Sequence, residues 1–200
     1  MIGVVDYEAG NIASISNALE KIGADFAILS DAEKLSQCDG IILPGVGAAP
    51  QAIEALRRRG LIPFLRKLDI PFLGICLGMQ ILFDSSEEGN TPCLGILAGS
   101  VKTMNGQVPK VPHMGWNRVD FKLRSPLDRG IETPSYFYFA HSYYAPVIPA
   151  TVGISDCGVE FSAVIQKDNF FGVQFHPEKS ADAGLKLLRN FESLCVSSRR

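Results

Sequence analysis

The chain has 200 residues, 46% hydrophobic, 9% aromatic and 20% charged, ordinary proportions for a globular domain and enough apolar material for a sizeable core. Nineteen Lys and Arg against 21 Asp and Glu give a formal charge of -2, which excludes the broad basic field of a nucleic-acid binder and the polybasic patch of a protein held on anionic lipid. No apolar run approaches a membrane span, and Met1–Asp6 lacks the basic stretch and cleavage site of a secretory leader, so a soluble, cytoplasmic protein with no membrane or nucleic-acid partner is expected.

The first half alternates strand and helix signals. Ile2–Asp6 is a short apolar strand. Asn11 caps an expected helix to Ile22, with Ile12, Ile15, Leu19 and Ile22 on one stripe and Gly23 as its stop. Phe26–Leu29 and Gly40–Leu43 read as buried strands, the second running into Pro44-Gly45-Val46-Gly47. A helix over Ala49–Arg59 ends in basic residues that suit its C-terminal dipole. Pro71–Ile75 is another continuous apolar strand, followed directly by a helix over Leu77–Phe83. Such alternation predicts an α/β fold with a mostly parallel sheet covered by helices on both faces.

The second half is richer in strands: Phe137–Ala140, Val147–Ile154, Ser162–Gln166 and Phe171–Phe175. Pro92–Pro112 reads as loops and short strands, His113 as a loop residue, and Ala181–Cys195 as a final helix. No repeat or linker divides the chain, so one domain with a mixed sheet over residues 1–200 is expected. The five cysteines, Cys38, Cys76, Cys93, Cys157 and Cys195, are odd in number and without C-x-x-C spacing. They read as reduced thiols, with neither a disulfide framework nor a zinc site.

Ligands of open α/β sheets bind beyond the carboxyl ends of the strands. Cys76 stands there, in Gly74-Ile75-Cys76-Leu77-Gly78. This is the thiol counterpart of the G-x-S-x-G nucleophile elbow, whose glycines permit a tight strand-to-helix turn. A helix start beneath the sulfur favours its thiolate. A catalytic thiol needs a base. His176 follows a strand and precedes Pro177, which biases it to an extended conformation, and Glu178 two residues on faces the same side. Cys76, His176 and Glu178 thus form a candidate nucleophile, base and orienter. His141 is an alternative base or a structural histidine. Pro44–Gly47 suits either an ordinary turn or a loop whose N–H groups meet an oxyanion. No phosphate-loop or dinucleotide fingerprint is present.

In order and spacing, Pro44–Gly47, Gly74-Ile75-Cys76-Leu77-Gly78-Met79-Gln80 and Phe175-His176-Pro177-Glu178 resemble the class I (triad) glutamine amidotransferases, a flavodoxin-like fold. Further blocks resemble, within that class, the glutaminase subunits of imidazole glycerol phosphate synthase: Asp6-Tyr7…Gly10-Asn11, Pro112-His113-Met114-Gly115-Trp116-Asn117, Phe139-Ala140-His141-Ser142-Tyr143 and His176-Pro177-Glu178-Lys179-Ser180. Together they span essentially the whole chain. One departure is Glu8, where that family usually has glycine.

The resemblance implies glutamine hydrolysis through a thioester on Cys76, with His176 and Glu178 completing the triad. It assigns the oxyanion to backbone N–H groups of Val46, Gly47 and Leu77, and glutamine recognition to Gln80, Glu88, Ser142 and Tyr143. Neither metal nor cofactor is implied. The glutaminase fills the 200 residues, so the ammonia must pass to another chain. The family's acceptor is a (β/α)₈-barrel cyclase subunit, in a heterodimer, with Met114, Trp116, Tyr138 and Lys179 as interface or passage residues. The P-H-M-G-W-N block argues against the glutaminases of anthranilate and aminodeoxychorismate synthases and against γ-glutamyl hydrolases. An intact triad argues against a silent binding module, and the lack of H-E-x-x-H or a Cys/His cluster against a metal hydrolase.

Overall fold

A computed structural model describes residues 1–8, 11–106, 108 and 110–197; Gly10 of the first motif lies outside them. The expected alternation is present as β1 (Ile2–Val5), α1 (Ile12–Ile22), β2 (Phe26–Leu29), α2 (Ala32–Leu35), β3 (Gly40–Leu43), α3 (Ala49–Arg58), α4 (Leu61–Leu65), β4 (Phe72–Ile75) and α5 (Leu77–Gln80). Local chemistry sets the ends. The Asn11 side chain accepts from the Ser14 N–H at 3.3 Å, and Gly23 closes α1 in the left-handed conformation, its N–H on the Glu20 and Leu19 carbonyls. Then follow β5 (Phe83–Ser86), β6 (Thr91–Pro92), β7 (Leu97–Thr103), β8 (His113–Phe121), β9 (Ser135–His141), β10 (Tyr143–Tyr144), β11 (Thr151–Asp156), β12 (Glu160–Lys167), β13 (Phe170–Val173) and α6 (Ala181–Ser197).

The larger sheet has nine strands in the order β2-β1-β3-β4-β13-β12-β11-β8-β9. Its first five strands are parallel and the rest antiparallel. Both faces of the parallel half are covered. Alternate strand residues Ile42, Leu73 and Ile75 pack with α1 and α6, while Ile41, Leu43 and Phe72 pack with α3 and α4. The carboxyl ends of β3, β4 and β13, adjacent in the sheet, lead into Pro44, Cys76 and the segment reaching His176. A second sheet, β10-β7-β5-β6, lies beside them.

The structure corrects several expectations. The helix after Cys76 stops at Gln80, and Phe83 opens β5. Ile81, Leu82 and Phe83 are fully buried, and a short apolar run cannot by itself distinguish helix from strand. Pro92–Pro112 contains the seven-residue β7. His113 is no loop residue: it begins the nine-residue β8. Exposed Met114 and Trp116 alternate there with less exposed Gly115 and Asn117, reversing the usual polar-outward pattern. The strand expected from Val147 starts at Thr151, because Pro149 can give no hydrogen bond to a ladder.

Close backbone approach explains the glycines of the elbow. A Cβ on Gly78 would sit 2.0 Å from the Leu43 carbonyl oxygen, and one on Gly74 would sit 2.4 Å from the Gly78 carbonyl oxygen. Helix α5 therefore rests directly on β3 and β4. Gly78→Ala should lower unfolding free energy by roughly 1–3 kcal/mol or more, as overpacking against unyielding backbone does. Urea denaturation would show a lower midpoint at unchanged slope; an unchanged midpoint would contradict the packing account.

Candidate active site

Cys76 sits at the turn from β4 into α5 with φ 53° and ψ −108°, a conformation rarely adopted by a non-glycine residue. Its N–H donates to the Val173 carbonyl at 2.7 Å, and its own carbonyl accepts from Met79 and Gln80. The sulfur is thereby carried to the floor of a cleft of about 330 Å³. Val46, Gly47, Leu77, Gln80, Glu88, Ser142, Tyr143, His176 and Lys179 line the same cleft. Every residue expected at the oxyanion and glutamine sites is present there.

His176 is 3% exposed. Its N–H donates to the Tyr138 carbonyl at 2.9 Å, and its own carbonyl accepts from the Ser180 hydroxyl at 2.6 Å, so the backbone behind the ring is fixed. Ring Nδ1 meets Glu178 Oε1 at 2.9 Å. Burial disfavours the charged ring, but hydrogen bonds to Cys76 and Glu178, reinforced by their charges, outweigh it and raise the imidazole to about 10. A thiol, an imidazole and a carboxylate thus stand in sequence.

His141 is held neutral by its partners and its burial. The Tyr143 carbonyl, a pure acceptor, lies 2.8 Å from His141 Nδ1, so that nitrogen carries the hydrogen. Nε2 is then an acceptor, and His113 Nδ1 supplies its hydrogen at 2.9 Å. Burial, with smaller contributions from His113 and His176, holds His141 down to about 3. His113 and His141 are direct cross-strand partners of β8 and β9. The other four cysteines lack such a setting: burial pushes all their thiols up, Cys93 to about 11 and Cys195 to about 12. Among the described residues no cysteine is paired, and no group of side chains suits a metal ion.

The loop over Pro44–Gly47 is held at both ends. Buried Tyr7 donates its hydroxyl to the Pro44 carbonyl at 2.8 Å, and burial pushes its phenol well up. Glu88 Oε2 accepts the Ala49 N–H at 2.7 Å, capping α3, which has no side-chain cap of its own. Between these anchors Gly47 takes φ 97° and Val46 is 41% exposed. Glu8 also has positive φ, 70°, a conformation that favours glycine; its carboxylate pairs with Arg58 and Arg59 at 2.9 and 3.1 Å.

Gln174 belongs to the site and was not expected from the sequence. It is fully buried and its Nε2 lies 3.6 Å from Cys76 Sγ. The available signal was one amide inside the apolar run Phe170–Phe175, since a buried polar side chain requires a partner.

A strand-end thiol over a short helix, backed by histidine and glutamate, on a sheet of flavodoxin-like order defines the architecture of a class I glutamine amidotransferase. The model of that family, glutamine amidotransferase class-I, matches residues 3–193. The fold aligns with a crystal structure of a glutamine amidotransferase at TM-score 0.76, 17% identity and 98% of each chain. It also aligns with a chain of the PurLQS structure from Thermotoga maritima at TM-score 0.76 and 21% identity, over 95% of this chain and 96% of that one. In sequence the chain is 45% identical to imidazole glycerol phosphate synthase subunit HisH 2 of Legionella pneumophila (strain Paris), over 97% of this chain and 98% of that one. It is 45% identical to subunit HisH of Dehalococcoides mccartyi (strain CBDB1) over the whole of both. The chain belongs to the class-I glutamine amidotransferases and, within them, to the HisH subunits of imidazole glycerol phosphate synthase.

His176 and His141 give a direct check. An unfolded histidine titrates near 6.5. His176 is raised, so its contribution to stability is complete below about pH 6.5 and is lost as pH rises through about 10. Imidazole NMR titration should find His176 still protonated at pH 8 and His141 still neutral at pH 5. A His176 midpoint near 6.5 would contradict the coupling to Cys76 and Glu178.

Proposed function

We propose that the chain hydrolyses L-glutamine to glutamate and ammonia through a γ-glutamyl thioester on Cys76. The observation carrying this reading is the convergence of Cys76 and His176 on one cleft from adjacent strand ends, with Glu178 Oε1 2.9 Å from His176 Nδ1. The Cys76 thiolate attacks the carboxamide carbon, and the carbonyl electrons move to oxygen. Backbone N–H groups of Val46, Gly47 and Leu77 receive that oxyanion. His176 gives its proton to the departing ammonia as the carbon–nitrogen bond breaks. It then takes a proton from water as the hydroxyl attacks the thioester, and the thiolate leaves. Glu178 holds the ring in orientation and stabilises its charge. Gln80, Glu88, Ser142 and Tyr143 receive the amino-acid end of glutamine. No metal or cofactor enters these steps.

Residues 1–200 act as a single glutamine amidotransferase domain in the cytoplasm, feeding a (β/α)₈-barrel cyclase that makes imidazole glycerol phosphate and an aminoimidazole carboxamide ribotide in histidine biosynthesis. Ammonia released to water near neutral pH becomes ammonium, so the cyclase must seat over the cleft. The β8–β9 ribbon supports this. Trp116 and Tyr138 are cross-strand partners with rings 6.3 Å apart, Lys179 Nζ stands 5.9 Å from the Tyr138 ring centroid, and Met114 is 64% exposed at the cleft rim. Such an apolar, aromatic face with one cation suits a protein partner. At rest the Val46 N–H points away from the oxyanion position, and the cyclase with its ligand turns it inward between the Tyr7 and Glu88 anchors.

Two outcomes follow for assay. Cys76→Ala should abolish glutamine hydrolysis while supplied ammonia still supports the cyclase; glutamine-dependent turnover by this variant would refute the thioester. The isolated chain should hydrolyse glutamine slowly and accelerate about 100- to 1,000-fold with the cyclase and its ligand, the worth of one oxyanion donor. Full activity in isolation would refute partner gating.

A further inference from the structure

We propose that Gln174 is a positioning residue for the reacting sulfur, its amide N–H directed at Cys76 and its amide oxygen fixing Gln80 so that Gln80 presents oxygen to the substrate. This rests on the assignment of Cys76 as nucleophile. The polarity of the network is dictated from one end. The Tyr143 carbonyl can only accept, so the Gln80 atom 2.8 Å from it is Nε2. The same nitrogen lies 2.9 Å from Gln174, whose facing atom must then be Oε1. Gln174 therefore has its nitrogen on the other side, 3.6 Å from Cys76 Sγ. An N–H donor on sulfur stabilises thiolate over thiol and restrains where the lone pair points. With both hydrogens of Gln80 engaged, its oxygen is the polar atom left for the cleft, an acceptor for substrate N–H groups.

The inner end of the network is as determined. Tyr143 also receives His141 Nδ1, His141 receives His113, and the remaining nitrogen of His113 meets Asn117 Nδ2 at 3.2 Å. Asn117 spends its other hydrogen on the Asp156 carbonyl at 2.9 Å. His141, backed by His113, thus holds the Tyr143 carbonyl in place, and that carbonyl orients Gln80, which in turn meets Gln174.

Two substitutions separate positioning from mere packing. Gln174→Glu keeps an acceptor for Gln80 but puts oxygen against the sulfur, whereas Gln174→Met removes both interactions at similar length. With the cyclase and its ligand bound, Gln174→Glu should lower kcat for glutamine roughly tenfold with KM little changed, and Gln174→Met should lower kcat and raise KM. In both, the acid limb of iodoacetamide alkylation at Cys76 should move to higher pH. A folded variant with wild-type kcat and alkylation profile would overturn the proposal, while leaving the nucleophile to the separate Cys76→Ala test. In the unsubstituted protein the Gln174 side-chain amide resonances should titrate with the Cys76 alkylation midpoint. Resonances that ignore it would overturn the proposal whether or not the variants fold.

Discussion

The site depends on one backbone constraint: at Cys76 the chain turns out of β4 at positive φ while β3 and β13 stay in parallel register on either side. The turn is held by the Cys76–Val173 hydrogen bond and by contact of Gly78 with Leu43, distances that leave no room for a β-carbon. Because the three strands are adjacent and parallel, their carboxyl ends deliver the loop at Pro44, the sulfur, and the segment carrying Gln174 and His176 to one place. Neither histidine nor glutamine has to reach far, and rigid strands rather than mobile loops set the separations.

Burial then divides the chemistry between the histidines. His176 is buried beside a thiol and a carboxylate, and charge interactions prevail over desolvation. His141 is buried among hydrogen-bonding dipoles and two other histidines, and desolvation prevails. The same ring is held protonated in one place and neutral in the other. Four further cysteines show the corresponding contrast for sulfur: without a cationic partner, burial makes a thiol less reactive.

Much of this was legible in the sequence because the informative features are local. Continuous apolar runs with glycine stops mark buried parallel strands, and G-x-C-x-G marks the elbow. His176 and Glu178 are two residues apart, so an extended backbone is enough to pair them. What was not legible depends on long-range pairing. His113 meets His141 only through the β8–β9 register, across 28 positions. Strand β8 itself was hidden because its exposed side carries Met114 and Trp116, an inversion of the usual polar-outward pattern. The shortness of α5 was equally hidden, since Ile81–Phe83 is apolar under either conformation. Gln174 signalled itself as an anomaly in a buried strand, but nothing local named its partners.

The central claim is that Cys76 is activated by its surroundings to form a covalent glutamyl intermediate. Acid-quenching the complex with cyclase and its ligand during turnover of isotope-labelled glutamine, followed by peptide mass spectrometry, tests it most directly. A labelled glutamyl group is expected on the peptide containing Cys76 and on no other cysteine peptide. Turnover without any adduct on Cys76, or with the label on a different cysteine, would contradict it.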